Sequence, residues 1–108
     1  MSTSSIGRLG LSGLQAAAKV QNNSAHNVAN INTPGFEPGR TTLEEAREGV
    51  RASVETGGVA ATSDRDYSSV GIGEEMVAQI TASTMYRANL ASIKTEDEIL
   101  GTLLDTKR

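Results

Sequence analysis

The chain has 108 residues, so it can form one small domain at most. With one Phe, two Tyr and no Trp, it lacks the bulky side chains that usually build a compact core. Its net charge of -3 is small, and its charged residues are of both signs, which argues against nucleic acid and anionic membranes as partners. No window approaches the roughly 20 apolar residues of a membrane span, and the lack of cysteine excludes a disulfide framework and a thiolate metal site.

The first predicted element is a helix over residues 4–30, with serines available as an N-cap and Pro34 as a stop beyond its end. Its apolar residues fall on two nearly opposite sides, and its only formal charges are Arg8 and Lys19, so both sides are expected to face partners. Gly7, Gly10 and Gly13 each cost about 1 kcal/mol of helix propensity relative to Ala. They indicate either the close approach of a neighbouring backbone or a frayed N-terminus.

The helix exit combines three asparagines with a Pro-Gly break. Proline disfavours helix at the residue before it, so Thr33 is expected to be extended, and Pro34-Gly35 suits the central positions of a type II turn before Phe36. Asparagine tolerates left-handed backbone and can satisfy the free carbonyls of a last helical turn. One such residue is enough for a helix exit, whereas this exit has three, which are Asn27, Asn30 and Asn32.

The middle of the chain, residues 34–73, is predicted to be irregular, with a small β-hairpin. Val50, Ala52 and Val54 alternate with polar residues, and the pair Gly57-Gly58 suits a two-residue turn into a second strand at 59–61. Residues 43–48 are ambiguous, because Thr42 and Glu45 have the spacing of a capping box, while a distorted strand is equally compatible with the sequence.

The strongest prediction is a second helix over residues 74–106, because this segment has no proline and repeats its apolar residues in steps of three and four. Gln79, Ser83 and Asp97 fill polar gaps in the same coiled-coil stripe. The fold class is therefore mainly α, with two long helices that pair as a coiled-coil hairpin around a short irregular and β-hairpin region. We expect the helix-packing and assembly residues to be Ile6, Leu9, Leu14, Val20, Met76, Ile80, Tyr86, Leu90, Ile93, Leu100 and Leu104.

Nothing in the sequence assembles into an active site. His26 is the only histidine and is expected to be an ordinary polar residue on a helix. The acidic runs, such as Glu74-Glu75, place adjacent residues on different sides of a helix and suit solvated faces or the helix dipole. Gly71-Ile72-Gly73 precedes a helix, but the acidic pair that follows would repel phosphate. The chain is therefore predicted to have no catalytic residue, cofactor or metal, and not to be an enzyme.

The segment from Ser24 to Phe36 resembles the Asn-rich signature of bacterial flagellar axial proteins, A-N-N-I-A-N-x-N-T-P-G-F, and departs from it at Ala25-His26, where the family usually has asparagine. The second helix resembles the same family's C-terminal hallmark in three stretches. These are Glu74-Glu75-Met76-Val77, Tyr86-Arg87-Ala88-Asn89, and the run from Lys94 to Leu104. The two motifs lie at opposite ends of the chain, in the order that the family has, and cover about two thirds of it.

The resemblance implies a rod subunit whose terminal helices form one domain, with residues 1–33 and 74–108 as its helices and 34–73 as a loop and β-hairpin region. The short middle resembles the proximal rod class. The implied partners are further copies, other rod or axial subunits and the flagellar type III export apparatus, without nucleic acid or membrane insertion. The implied location is the periplasm-spanning rod of the basal body, reached without a cleaved signal peptide.

The alternative to a rod subunit is an autonomous coiled-coil oligomer that acts as an adaptor in flagellar export or assembly. Such a protein would form a closed oligomer rather than a polymer.

Overall fold

The computed structural model describes residues 3–47, 49–59 and 67–106, with side chains from Gly7 to Asp105 within those ranges. The chain is mainly α-helical, and two long helices pack against each other beside a short β region, as the sequence predicts. In chain order the elements are α1 (Thr3–Ala29), β1 (Phe36–Glu37), β2 (Arg40–Ala46), β3 (Gly49–Glu55), β4 (Gly58–Val59) and α2 (Ile72–Thr106).

The two helices run antiparallel, and small residues of α1 form the line of closest approach. Gly10, Gly13, Ala17, Ser24 and Asn27 are all buried, and they follow one another at coiled-coil spacing. A side chain could not be added at the glycines without collision. A Cβ on Gly10 would lie 2.7 Å from Ile93 Cγ1, and one on Gly13 would lie 2.3 Å from Asn89 Oδ1. The glycines therefore permit close approach of the helices, which is the first of the two interpretations that the sequence allows.

The β region differs from the predicted hairpin. Strand β3 pairs antiparallel with β2, from Arg40 opposite Glu55 to Ala46 opposite Gly49, so the chain reverses direction between Ala46 and Gly49. The predicted turn at Gly57-Gly58 is wrong, because Gly57 lies where a Cβ would be 2.2 Å from the carbonyl oxygen of Glu37, and Gly58-Val59 pairs with β1. Close backbone approach, rather than a turn, requires Gly57. Ala60 and Ala61 lie outside the described residues.

The β2–β3 hairpin rests on α1 through one of its faces. Ala52 is buried, and its carbonyl oxygen accepts a hydrogen bond from Lys19 Nζ at 3.3 Å. Near the hairpin tip, the Val50 N–H donates to Ser12 Oγ at 3.2 Å. A two-stranded hairpin is marginal by itself in water, so α1 supplies the support that this hairpin needs.

The buried apolar side chains of the described residues are few and mostly small: Ala16, Ala17, Phe36, Ala52 and Ala82. The molecule is elongated, with extents of 71 × 24 × 13 Å. Among the described residues, neither helix combines the length and the apolar character that crossing a membrane requires.

Candidate functional site

The helix exit forms the predicted turn. The Phe36 N–H donates to the Thr33 carbonyl at 3.1 Å, and Gly35 has a φ of 71°, which is the geometry of a type II turn with Pro34 and Gly35 at its centre. The turn is tied to the segment before α2, because the Gly35 N–H donates to the Tyr67 carbonyl at 2.9 Å. Phe36 is buried below the turn and meets the ring of His26 edge-on, with centroids 5.8 Å apart.

Asn30 ends α1 in the way that the sequence suggests. Its side-chain amide donates to the carbonyl of His26 at 2.9 Å, in addition to its own backbone N–H at 3.3 Å, and its Oδ1 accepts from Thr33 Oγ1 at 3.1 Å. The asparagines do not use their tolerance of left-handed backbone here, since no described residue other than glycine has a positive φ. The side-chain hydrogen bond, rather than backbone conformation, explains why asparagine suits this position.

Asn27 joins three parts of the chain. Its side chain is fully buried, and its Nδ2 donates to the Gly39 carbonyl at 3.0 Å and to the two carboxylate oxygens of Glu75 at 3.1 and 3.2 Å. Its Oδ1 accepts the Gly39 N–H at 2.8 Å. One amide therefore connects α1, the loop after β1 and the first turns of α2. We refer to Asn27, Gly39 and Glu75 as the asparagine junction.

A second set of polar contacts extends the junction along the helix pair. Ser24 Oγ donates to the Glu75 carbonyl at 3.1 Å and accepts from Gln79 Nε2 at 3.2 Å, while Asn23 Nδ2 donates to the Gly39 carbonyl at 2.9 Å. Ser24, Gly39 and Glu75 were not among the residues predicted for the site. The coiled-coil spacing of Ser24 and Asn27 from Gly10 and Gly13 could have indicated Ser24, whereas Gly39 and Glu75 lie outside α1 and have no such signal.

The predicted packing residues separate into two groups within the single chain. Ile93, Leu100, Leu14 and Val20 are partly buried, whereas Leu9 and several residues of α2 are exposed. The exposed residues of α2 are Met76, Ile80, Tyr86, Leu90 and Leu104, with exposed fractions from 45% to 68%. The side chain of Ile6 lies outside the described part.

Three of the exposed residues, Met76, Ile80 and Tyr86, line an open groove of about 790 Å³ between the helices. Ala18, Gln21 and Asn22 form the α1 side of this groove. The hairpin touches α1 at other residues, such as Ser12 and Lys19, so the groove and the hairpin lie on different sides of that helix. The helix pair therefore has one side covered by its own chain and another that is open.

Within the described ranges, no three His, Cys, Asp or Glu side chains group as ligands for a metal ion. The asparagine junction contains one carboxylate and amide partners, and its hydrogen bonds are made within the fold. Its geometry serves to hold three chain segments together. It presents no nucleophile paired with a base.

Two helices from opposite ends of the chain, paired through small residues, define an elongated helical structural protein. The family described as "Flagella basal body rod protein" matches residues 8–36, and "Flagellar basal body rod FlgEFG protein C-terminal" matches residues 67–106. The first match contains α1 from Arg8 and the asparagine turn, and the second contains all of α2. No curated protein matched the chain.

The chain belongs to the family of flagellar basal-body rod and hook proteins. Both matched descriptions name structural proteins of the rod, so the chain has a structural, axial role and its place is the flagellar basal body. The two matches leave residues 37–66 between them, which contain β2, β3 and β4.

Proposed function

We propose that the chain is a structural subunit of the bacterial flagellar rod that self-assembles through its terminal helices into a tubular axial structure. In this function it has no catalytic activity. Its partners are further copies and other axial subunits, and it is delivered by the flagellar type III export apparatus. The family membership supports the axial role, and the distribution of apolar side chains supports self-assembly.

One observation carries the proposal: small residues pack inside the chain, while large apolar residues lie on its surface. Ala16, Ala17 and Ala82 are almost completely buried, whereas Ile80 is 65% exposed and Leu104 is 68% exposed. A monomer that functions alone normally buries its large apolar side chains, because each contributes about 1.5–3 kcal/mol on burial. Large apolar surface on an elongated helix pair is typical of a subunit that is completed by its neighbours.

The test is the size of the purified chain as a function of concentration. Sedimentation velocity should show a monomer when the wild type is dilute and open-ended polymers above a threshold concentration. Ile80→Glu should stay monomeric, since it places a charge in the open groove, and Ile80→Leu should polymerise like the wild type. Circular dichroism of both variants should match the wild type, because Ile80 has little contact with its own chain. A closed dimer or tetramer that stays constant with concentration would support the adaptor function instead.

The same variants test the function in cells. Deletion of the gene in its flagellated host should abolish swimming and leave basal bodies without a complete rod. Expression of Ile80→Leu should restore motility, whereas Ile80→Glu should be expressed but fail to restore it. Normal swimming of a deletion strain that carries no second copy of the gene would contradict the rod function.

A further inference from the structure

Glu96 is a second buried carboxylate in the contact between the helices. Its side chain is 8% exposed. It lies opposite Gly7, where an added Cβ would be 2.8 Å from its Oε2. Gly10 and Gly13 of α1 lie against Ile93 and Asn89 in the same way, so Glu96 continues the packed line of α2 toward the beginning of α1. The carboxylate therefore occupies a position that normally belongs to an apolar residue.

The environments of the two buried carboxylates differ. The two oxygens of Glu75 share a hydrogen bond from the side-chain amide of Asn27. Within the part of the chain that the structure describes, the Glu96 carboxylate has no hydrogen bond or ion pair, and Arg8, which follows Gly7 in the sequence, is exposed. Burial removes part of the hydration of the carboxylate, and no described side chain replaces it with a hydrogen bond, so the charge contributes little to folding of the chain by itself.

The sequence nevertheless keeps space for this carboxylate. Gly7 costs the helix about 1 kcal/mol relative to Ala, and an alanine there would collide with Glu96 Oε2. The two oxygens of this carboxylate are not fully buried. In the described ranges, the one fully buried side-chain oxygen or nitrogen without a partner is Thr41 Oγ1, so the unpaired oxygens of Glu96 keep some contact with solvent. Its oxygens can therefore still be reached from outside the chain.

We infer that Glu96 receives a lysine or arginine side chain from a second copy of this chain, and that this ion pair forms only on assembly. The inference rests on the proposed function, because in a helical assembly every Glu96 meets the same neighbour. The chain supplies suitable donors, such as Arg87 and Lys94, which are exposed on α2. A cation that covers a partly shielded carboxylate interacts more strongly than one in open solvent. Since no described residue pairs with this carboxylate, the ion pair would favour contact between copies.

The test compares Glu96→Gln with Glu75→Gln in the full-length chain, measuring thermal unfolding when dilute and the threshold concentration for polymerisation. Glu96→Gln should unfold at the wild-type temperature or above, since glutamine has the same shape without the charge. Its polymerisation threshold should rise by roughly tenfold or more, as loss of a close charge pair between subunits predicts. Increasing salt should raise the wild-type threshold and leave that of Glu96→Gln nearly unchanged.

Glu75→Gln provides the matched control, because it removes a buried charge that has partners in its own chain. Glu75→Gln should lower the unfolding temperature. Its polymerisation threshold then shows how much polymerisation changes when the contact between the helices is weakened and Glu96 is intact. Gly7→Ala is a second probe: its Cβ displaces the carboxylate while alanine favours the helix, so it should raise the threshold without lowering the unfolding temperature.

Two results would overturn the inference alone: polymerisation of Glu96→Gln at the wild-type threshold, or destabilisation of dilute Glu96→Gln as large as that of Glu75→Gln. The second result would show that Glu96 has its partner within the same chain. A wild type that never polymerises would instead contradict the proposed self-assembly, and the inference with it.

Discussion

At the scale of single residues, Asn27 combines the most connections, because an amide can donate and accept at once. Its Oδ1 accepts from Gly39 while its Nδ2 donates to Gly39 and to Glu75, which belong to different segments. Aspartate has nearly the same shape but cannot donate when ionised, and alanine can do neither. Asparagine is therefore required for a chemical reason at this position, beyond its general use at helix ends.

We predict that Asn27→Ala lowers the free energy of unfolding by about 2 kcal/mol, since it leaves the buried partners of the amide unsatisfied. Asn27→Asp should cost more, because it places a second carboxylate against Glu75. Thermal unfolding followed by far-ultraviolet circular dichroism measures both effects, and a loss of 1 kcal/mol corresponds to about 4–8 °C in a domain of this size.

The control for Asn27 is Asn32→Ala, which changes an exposed asparagine of the same motif. It should alter the stability by less than about 0.5 kcal/mol, as surface substitutions usually do. Equal effects of Asn27→Ala and Asn32→Ala would show that the motif acts as a general amide-rich segment and that the asparagine junction does not stabilise the fold.

At the scale of elements, the pairing of α1 with α2 depends on glycine at defined positions. We predict that Gly13→Ala destabilises the fold by about 1–3 kcal/mol, because its Cβ overlaps the side chain of Asn89 and overpacking exceeds the gain in helix propensity. Gly101→Ala should have the opposite sign and stabilise by about 1 kcal/mol, since Gly101 is also helical but has open space where its Cβ would lie. Urea unfolding at equilibrium compares the two.

The double variant Gly13→Ala, Asn89→Ala separates close packing from propensity. Removing most of the Asn89 side chain makes room for the new methyl group, so the double variant should recover most of the stability that Gly13→Ala loses. If Gly13→Ala alone proves as stabilising as Gly101→Ala, the helices do not approach as closely as the contact between Gly13 and Asn89 requires.

The helices and the turn could be predicted from sequence because their signals are local. Pro34 and Gly35 define a type II turn by their own backbone preferences, and a long segment without proline defines α2. The hairpin was misplaced because Gly57-Gly58 fits a turn locally. Its actual role, passing close to the backbone of Glu37, depends on a contact distant in sequence. The choice between helix and strand at residues 43–48 was likewise decided by pairing with β3.

The face of α2 that contacts α1 was harder to predict than the helix itself, because an analysis of periodicity assigns the contact to large apolar residues. Glu75, Ala82 and Glu96 are its buried members, and two of them are charged residues that sequence reasoning assigns to solvent. The complementary clue lay in α1, where glycine recurs every third residue from Gly7 to Gly13. A glycine on one helix leaves room for a larger polar side chain, such as a carboxylate or an amide, on the other helix. This pairing of a small residue with a larger one can be recognised only when both helices are considered together.

At the scale of the whole molecule, the helix pair leaves more surface exposed than a compact protein of its size. Its accessible surface is 7697 Å², whereas a compact monomer of this mass exposes about 5,700 Å². The excess follows from an antiparallel pair of long helices with only a small hairpin on one side. Surface of this extent, with large apolar residues on it, is consistent with a subunit whose remaining contacts are made by neighbours.

The last prediction concerns this shape in solution. A compact chain of about 100 residues has a radius of gyration of about 13 Å, whereas the structure gives 18.7 Å. Small-angle X-ray scattering of Ile80→Glu, which we expect to stay monomeric, should therefore give a value close to 18.7 Å and a longest dimension near 71 Å. A value near 13 Å would mean that the helices fold back on themselves, and a much larger one would mean that α1 and α2 separate in the free chain. In either case the contacts of the asparagine junction would have to form during assembly, whereas agreement would show that the subunit carries its axial shape before it meets its neighbours.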